Sequence, residues 1–221
     1  RPFEDYEGQF NSTVKRYGSS QELRFSSTDD ARLTWVAGAL YSNIIAHSDY
    51  YLQEDLNRLA MLLYGITIQQ RYGQPELPGM IATTRMQLLT DTELAGFGEV
   101  NYMLTDKLRL TAGIRLSRVD FDYRQVFYGP LSGWNVPTTE NGGRVSGRVT
   151  ESPVTPKFNA QYQFSENNMV YVNAAKGFRA GGVNSPISPA ICGPAFAVTG
   201  LTPADIPSTY DADTVWSYEG G

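Results

Sequence analysis

Little in this chain invites a chemical reading. Its 221 residues include one cysteine, Cys192, and one histidine, His47. One thiol builds no intrachain disulfide framework, and one imidazole argues against a histidine-based metal site. No stretch approaches the ~20 consecutive apolar residues of a transmembrane helix. Lys/Arg clusters are lacking and the net charge is −5, which argues against nucleic acid as a partner. The pairs Gly142-Gly143 and Gly181-Gly182 lack the strand–turn–helix setting of a phosphate loop. Asp49, Glu54 and Asp55 fall on the polar side of an expected helix, where solvation suffices to explain them. No catalytic constellation is visible, so neither an enzyme nor a cofactor is expected.

What is present is alternation. In Leu108 to Leu116 the odd and even positions separate without a fault: Leu108, Leu110, Ala112, Ile114 and Leu116 against Arg109, Thr111, Gly113 and Arg115. Period two over this length is a strand with one apolar and one polar face. The preceding segment alternates too, with Gly96, Gly98, Val100 and Tyr102 opposed to Ala95, Phe97, Glu99 and Asn101. Thr105-Asp106-Lys107 joins them as a minimal turn. Each arm is about ten residues, the length a tilted membrane-spanning strand needs. With the leucine row toward lipid, Glu99, Asn101, Arg109, Thr111 and Arg115 face a hydrated lumen. In the opposite register Arg115 would meet the bilayer at a cost of roughly 2–4 kcal/mol. A soluble sandwich could use the same alternation with its leucines inward.

The rest of the chain extends the pattern. Residues 1–20 read as an irregular loop, Gln21–Ser26 as a strand and Ser27–Ala31 as a turn. Arg32–Asn43 forms a longer strand with Leu33, Trp35, Ala37, Ala39 and Tyr41 on one parity. Three long loops are expected, at 44–91, 117–152 and 181–210. In the first, Leu52, Leu56, Leu59 and Leu63 fall at helical spacing with Gly65 placed to end a helix. Val154–Phe164 sets Phe158, Ala160, Tyr162 and Phe164 against Lys157, Asn159, Gln161 and Gln163; the first three of these polar residues join the lumen-facing set. A turn at Ser165–Asn168 leads to Met169–Arg179, whose parity is ambiguous. Thr202-Pro203-Ala204-Asp205 opens one helical turn, and a last strand starts near Thr214. The reading is an all-β, antiparallel up-and-down meander of about seven long strands. Short connections alternate strictly with very long ones, as in outer-membrane barrels and unlike sandwiches, whose connections are mostly short.

Five segments in order carry a resemblance: SQELRFSS (Ser20–Ser27), LTWVAGALYS (Leu33–Ser42), AGFGEVNYMLTDKLRLTAGIR (Ala95–Arg115), TPKFNAQYQFSENNMVYVNAAKGFRAGGVN (Thr155–Asn184) and YDADTVWSYEGG (Tyr210–Gly221). Together they resemble the barrel portion of TonB-dependent outer-membrane receptors. That resemblance implies active import through a plugged barrel of about 22 strands. The energy would come from a TonB complex reached through a segment absent here. The implied cargo is a ferric siderophore, with cobalamin, haem or glycans in other members. Residues 1–221 would then be a partial barrel domain in the bacterial outer membrane, an excerpt with no plug, TonB box or C-terminal strands. Its partners would be outer-membrane lipid, an extracellular small-molecule ligand and the TonB complex. The competing reading is a secreted, soluble all-β carbohydrate-binding or hydrolase domain.

Candidate ligand contacts are few. Arg179, in KGFRAGGVN, either meets an anionic ligand or is solvated where Gly177, Gly181 and Gly182 let a strand end. Tyr50, Tyr51, Tyr123 and Tyr128 either stack on an aromatic siderophore or serve as girdle and loop packing. His47 and Cys192 fall in expected long loops without partners nearby in sequence.

Overall fold

Strands dominate the computed structural model, which describes residues 6–28 and 31–221. In chain order they are β1 (Gly8–Ser26), β2 (Leu33–Glu54), β3 (Ile81–Thr105), β4 (Leu108–Tyr128), β5 (Arg144–Glu151), β6 (Val154–Ser165), β7 (Asn168–Arg179), β8 (Gly182–Val183), β9 (Thr209–Tyr210) and β10 (Asp213–Gly220). Short helices α1 (Leu56–Tyr64), α2 (Ile68–Tyr72) and α3 (Pro189–Thr199) lie in the connections. The main sheet is antiparallel with neighbours in the order β1-β2-β3-β4-β6-β7-β10, and β5 also pairs with β4. Strands β5 and β6 share one position: β6 pairs with Leu108–Leu116 of β4, β5 with Val119–Val126. Ser152-Pro153 separates them, and proline has no N–H to give a ladder. The ladder is bridged there by Ser117 N–H donating to the Pro153 carbonyl at 3.1 Å. The sheet therefore has seven strand positions, as the alternation implies.

The strands are far longer than the sequence pattern suggests, with 19, 22, 25 and 21 residues in β1 to β4. Residues 8–20 are strand, not loop. The expected loop 44–91 contracts to 55–80, since β2 runs to Glu54 and β3 begins at Ile81. The expected loop 117–152 contracts to the stretch between Tyr128 and Arg144, whereas 181–210 holds only the ribbon β8–β9, α3 and a single 3-10 turn. The physical reason lies in the register. Paired residues share a face, so rows can be followed across the sheet.

On one face the rows Leu33–Tyr102–Leu110–Ala160–Val172, Trp35–Val100–Ala112–Phe158–Ala174–Tyr218, Phe25–Ala37–Gly98–Ile114–Pro156 and Leu23–Ala39–Gly96–Leu116–Val154 are all apolar. Two rows higher the same face carries Ser19, Asn43, Thr92, Asp120 and Thr150. The apolar band thus spans about nine residues per strand, close to the ~25 Å of a barrel's lipid belt. Above it polar and apolar residues mix on both faces, with Val119, Phe121, Tyr123 and Phe127 beside Gln87 and Gln125 on one and Ile45, Leu88 and Met86 beside Asp120 and Arg124 on the other. The strands go on pairing there, but the amphipathic signal that reveals a strand in sequence is gone.

A single sheet buries little. One hydrophobic cluster joins Leu56, Ala60, Ile68 and Ala82, with Leu52, Leu59, Tyr72 and Leu131 packed against it, and Val119, Tyr123 and Phe127 of β4 are buried apart from it. Helix α1 forms where the leucine spacing places it. Asp55 caps its N-terminus by accepting from Arg58 N–H at 2.8 Å, and Gly65 ends it at φ 69°. Leu52 belongs to β2 rather than the helix but joins the same cluster. Asp49 and Glu54, assigned above to a helix's polar side, are strand residues, and Asp55 is a cap. In the last long connection Asp205 accepts from both the N–H and the hydroxyl of Thr202, each at 2.7 Å, closing the expected turn Pro203–Asp205.

Candidate functional site

The face opposite the apolar band carries nearly all the ordered polar contacts of the lower sheet. Glu99, Asn101, Arg109, Thr111, Arg115, Lys157, Asn159 and Gln161 share this one face by register. One row is polar from end to end: Thr34, Asn101, Thr111, Asn159, Asn173 and Glu219. Thr111 donates to Asn101 Oδ1 at 2.7 Å, and Tyr171 donates to Glu219 at 2.6 Å. One row higher Lys157 pairs with Glu99. Above that, Arg115 donates to Glu93 at 2.6 Å, and the Ser117 hydroxyl donates to the same carboxylate at 2.9 Å. Arg24 pairs with Glu22 at 2.6 Å and lies 5.8 Å from the Phe97 ring centroid. Charges of opposite sign alternate across this wall, so it is polar without a strong net field.

The ambiguous strand β7 is settled by pairing. Val172 and Val170 stand on the apolar face opposite Ala160 and Tyr162, while Met169 and Tyr171 join the polar face opposite Gln163 and Gln161.

Higher up the same face, past the apolar band's level, Tyr50 and Arg85 are cross-strand partners, with Phe127 next in the row. The Arg85 guanidinium lies 4.4 Å from the Tyr50 ring centroid, and Phe10 packs on Tyr50 with centroids 5.4 Å apart. Below them Gln87 donates to Gln125 Oε1 at 3.0 Å. Tyr123 is buried on this face and lines a cavity of about 400 Å³ beneath the connections 139–142 and 184–208.

The four candidate tyrosines are therefore not one group. Tyr50 and Tyr123 stand on the polar-wall parity, Tyr51 and Tyr128 on the other. All four lie in strands, not loops. Arg179 is neither free nor merely solvated, because it donates to Asp213 at 2.6 Å across the β7–β10 pair. His47 is likewise a strand residue, on the outer parity, hydrogen bonded to the Tyr17 hydroxyl at 2.9 Å. Tyr6, at the far end, donates to Glu54 at 2.7 Å, and burial together with that carboxylate pushes its phenol well above the usual range. Arg85, Glu93 and Glu219 escaped the sequence reading. Carrying the parity of Glu99 and Asn101 six or more residues further along β3 would have found the first two.

Among the described residues no group of three or more His, Cys, Asp or Glu is placed to hold a metal ion. Among the same residues no helix is long and apolar enough to cross a membrane.

The TonB-dependent receptor-like β-barrel family matches residues 2–221. The chain belongs to that family. No curated protein matches it in sequence. Among solved structures it is similar to the ferric yersiniabactin uptake receptor FyuA from Yersinia pestis, at 17% identity and a TM-score of 0.66. The alignment covers 97% of this chain and 27% of that receptor, so the chain spans about a quarter of the length of the receptor it matches. As part of a TonB-dependent receptor the sheet is a segment of a transmembrane barrel in the bacterial outer membrane. The soluble sandwich is set aside on the same finding. It also requires a second layer over the leucine row, whereas Ile114 and Leu116 stand 48% and 53% exposed.

Proposed function

We propose that this chain is a wall of a receptor that imports a scarce nutrient, a ferric siderophore, by TonB-coupled active transport. The polar face lines the lumen, and the long connections lie on the extracellular side. The observation that carries the reading is the two-sided wall. An apolar belt backs a row of amides, hydroxyls and paired charges, and that polar row is meaningful only against water or a hydrated guest. The family supports a receptor, and the ferric uptake receptor among its structural neighbours supports the cargo class. The energy-coupling contact would be made by a segment outside these residues. No bond is made or broken in this account. The extracellular loops and upper lumen, including Tyr50 and Tyr123, hold the cargo until it passes.

The test is uptake of radiolabelled iron by cells carrying the full receptor, supplied with a panel of ferric siderophores. Uptake that depends on the receptor and collapses when the proton gradient is discharged is the expected result. Gradient-independent passage would make the protein a passive channel. Import of cobalamin or a glycan with no iron would keep the transporter and replace the cargo.

A further inference from the structure

Two columns of the wall are interrupted without losing their place. Val154 pairs with Leu116 and Glu151 with Val119, so β6 and β5 keep one register on β4 through the break at Ser152-Pro153. Likewise Arg179 pairs with Asp213 and Gly182 with Tyr210, so β7–β10 and β8–β9 form one ribbon in one register. The ladder between these two columns does not continue. β6 and β7 pair from Gln163 opposite Met169 up to Lys157 opposite Ala175, and there the pairing stops. In the same register Pro156 would face Lys176 and Val149 would face Val183, yet among the described residues neither β5 nor β8 pairs across. The cause is local. Gln163 N–H turns to the Lys107 carbonyl and Ser117 N–H to the Pro153 carbonyl, so odd positions of this column bond toward β4 and even ones toward β7. Pro156 is the next even position after Phe158, and it has no N–H to give.

The result is a seam through the wall, running from the upper part of the apolar band toward the rim. At its foot lies an open hollow of about 570 Å³, with Thr155 and Pro156 on one lip and Ala175 and Lys176 on the other. Pro156 belongs to the outward face and Thr155 to the polar wall, so the hollow is lined from both faces. Two contacts hold the seam closed above it. Glu151 accepts from Ala212 N–H at 3.1 Å, and the same oxygen lies 3.1 Å from the place of a Cβ on Gly181. A side chain thus stands where backbone pairing is missing. Nearer the rim Ser188 nests against Gly133, where a Cβ would stand 2.6 Å from that of Ser188. Between these contacts the connection 181–210 roofs the cavity over Tyr123, which is 5% exposed. We propose that the seam is a gate in the wall. The β7–β10 ribbon, hinged on its intact ladder to β6, swings out with the connection 181–210 and uncovers Tyr123. One carboxylate contact and one nested serine part at far less cost than the ladder below them. The inference goes beyond import and needs of that reading only that the polar face line the lumen.

The experiment uses the full receptor purified in detergent, with Cys192→Ser as background. Val149→Cys with Val183→Cys carries spin labels across the seam, and Asn159→Cys with Asn173→Cys carries them across the intact ladder. The ladder pair should give one distance and the seam pair two. Glu151→Ala should raise the longer-distance population about fivefold, the worth of one hydrogen bond. Pro156→Val, which returns the missing N–H, should empty it. In the unlabelled receptor, nitration of Tyr123, read by peptide mass spectrometry, should be fastest in Glu151→Ala and slowest in Pro156→Val. Folding is read from heat-dependent gel mobility, and only the folded barrel is scored. A single distance at the seam in all three proteins overturns the proposal. So does a second distance that neither substitution moves, or a Tyr123 reactivity indifferent to both. None of these readouts involves transport, so a shut seam leaves import standing and a failed uptake assay leaves the gate standing.

Discussion

Parity is the property of single residues on which everything else depends, and it can be tested one side chain at a time. Ile114 faces outward in the middle of the apolar band; Thr111 faces the polar wall and donates to Asn101. Ile114→Arg should cost roughly 2–4 kcal/mol of membrane stability and cut the folded barrel recovered from outer membranes. Thr111→Arg, placed in water, should leave recovery close to wild type. Equal losses would invert the wall. Gly38 offers a second residue-level test. A Cβ there would stand 2.5 Å from both the Phe97 ring and the Leu23 carbonyl. The backbone oxygen cannot yield, so Gly38→Val should destabilise by about 1–3 kcal/mol, measured by urea unfolding of the refolded receptor. The alternating residues of Leu108–Leu116 were legible because every second side chain falls on one apolar face. Arg85 and Tyr50 were not, because polar and apolar residues mix on both faces around them and no clean periodicity marks them as strand.

Elements were readable in proportion to what they bury. Helix α1 announced itself through Leu56, Leu59, Leu63 and the Gly65 stop, and its N-cap is local. Asp55→Ala should cost about 1 kcal/mol and speed amide exchange across residues 56–64 without touching the sheet. The β4–β5 pair is a different case. Its ladder is joined by Thr150 donating to Asp120 at 2.6 Å and by the Arg148–Asp122 pair. The Thr150 hydroxyl, and after it the Arg118 guanidinium, hold the Asp120 carboxyl below its usual value of 3.8. A carboxylate with a lowered folded pKa stabilises fully above its unfolded value and loses that contribution as pH falls through the folded one. Exchange protection of Arg144–Glu151 should therefore hold at neutral pH and decline below about pH 4, earlier than protection of β6. Asp120→Asn should flatten that decline. Sequence could not reveal β5, because Ser152-Pro153 interrupts its strand and its neighbours read as a Gly- and Thr-rich loop.

At the scale of the molecule, an open wall has an oily back and two free edges. Trp35, Leu110, Ile114, Leu116 and Phe158 are all exposed on one surface, and β1 and β10 end the sheet order. Residues 1–221 expressed without detergent should form aggregates rather than a cooperatively melting monomer, as sedimentation would show. The meander and the alternation of short and long connections are legible in the sequence. The height of the wall is not, since the apolar band that writes strands into sequence stops well below the rim.

That extra height has a practical meaning. The first long connection springs from Glu54 and Ile81, both anchored in the sheet, with Glu54 N–H donating to the Met80 carbonyl at 2.8 Å. Its stems are thus clamped by backbone pairing, Gln53 opposite Ile81 and Glu54 on the residue 80 carbonyl, which asks no particular side chain at position 80. Residues 55–80 can be exchanged like a tool in a chuck. With the long connections outside the cell, as proposed above, foreign peptides grafted between Glu54 and Ile81 are expected to be displayed on living cells while the frame beneath keeps its register.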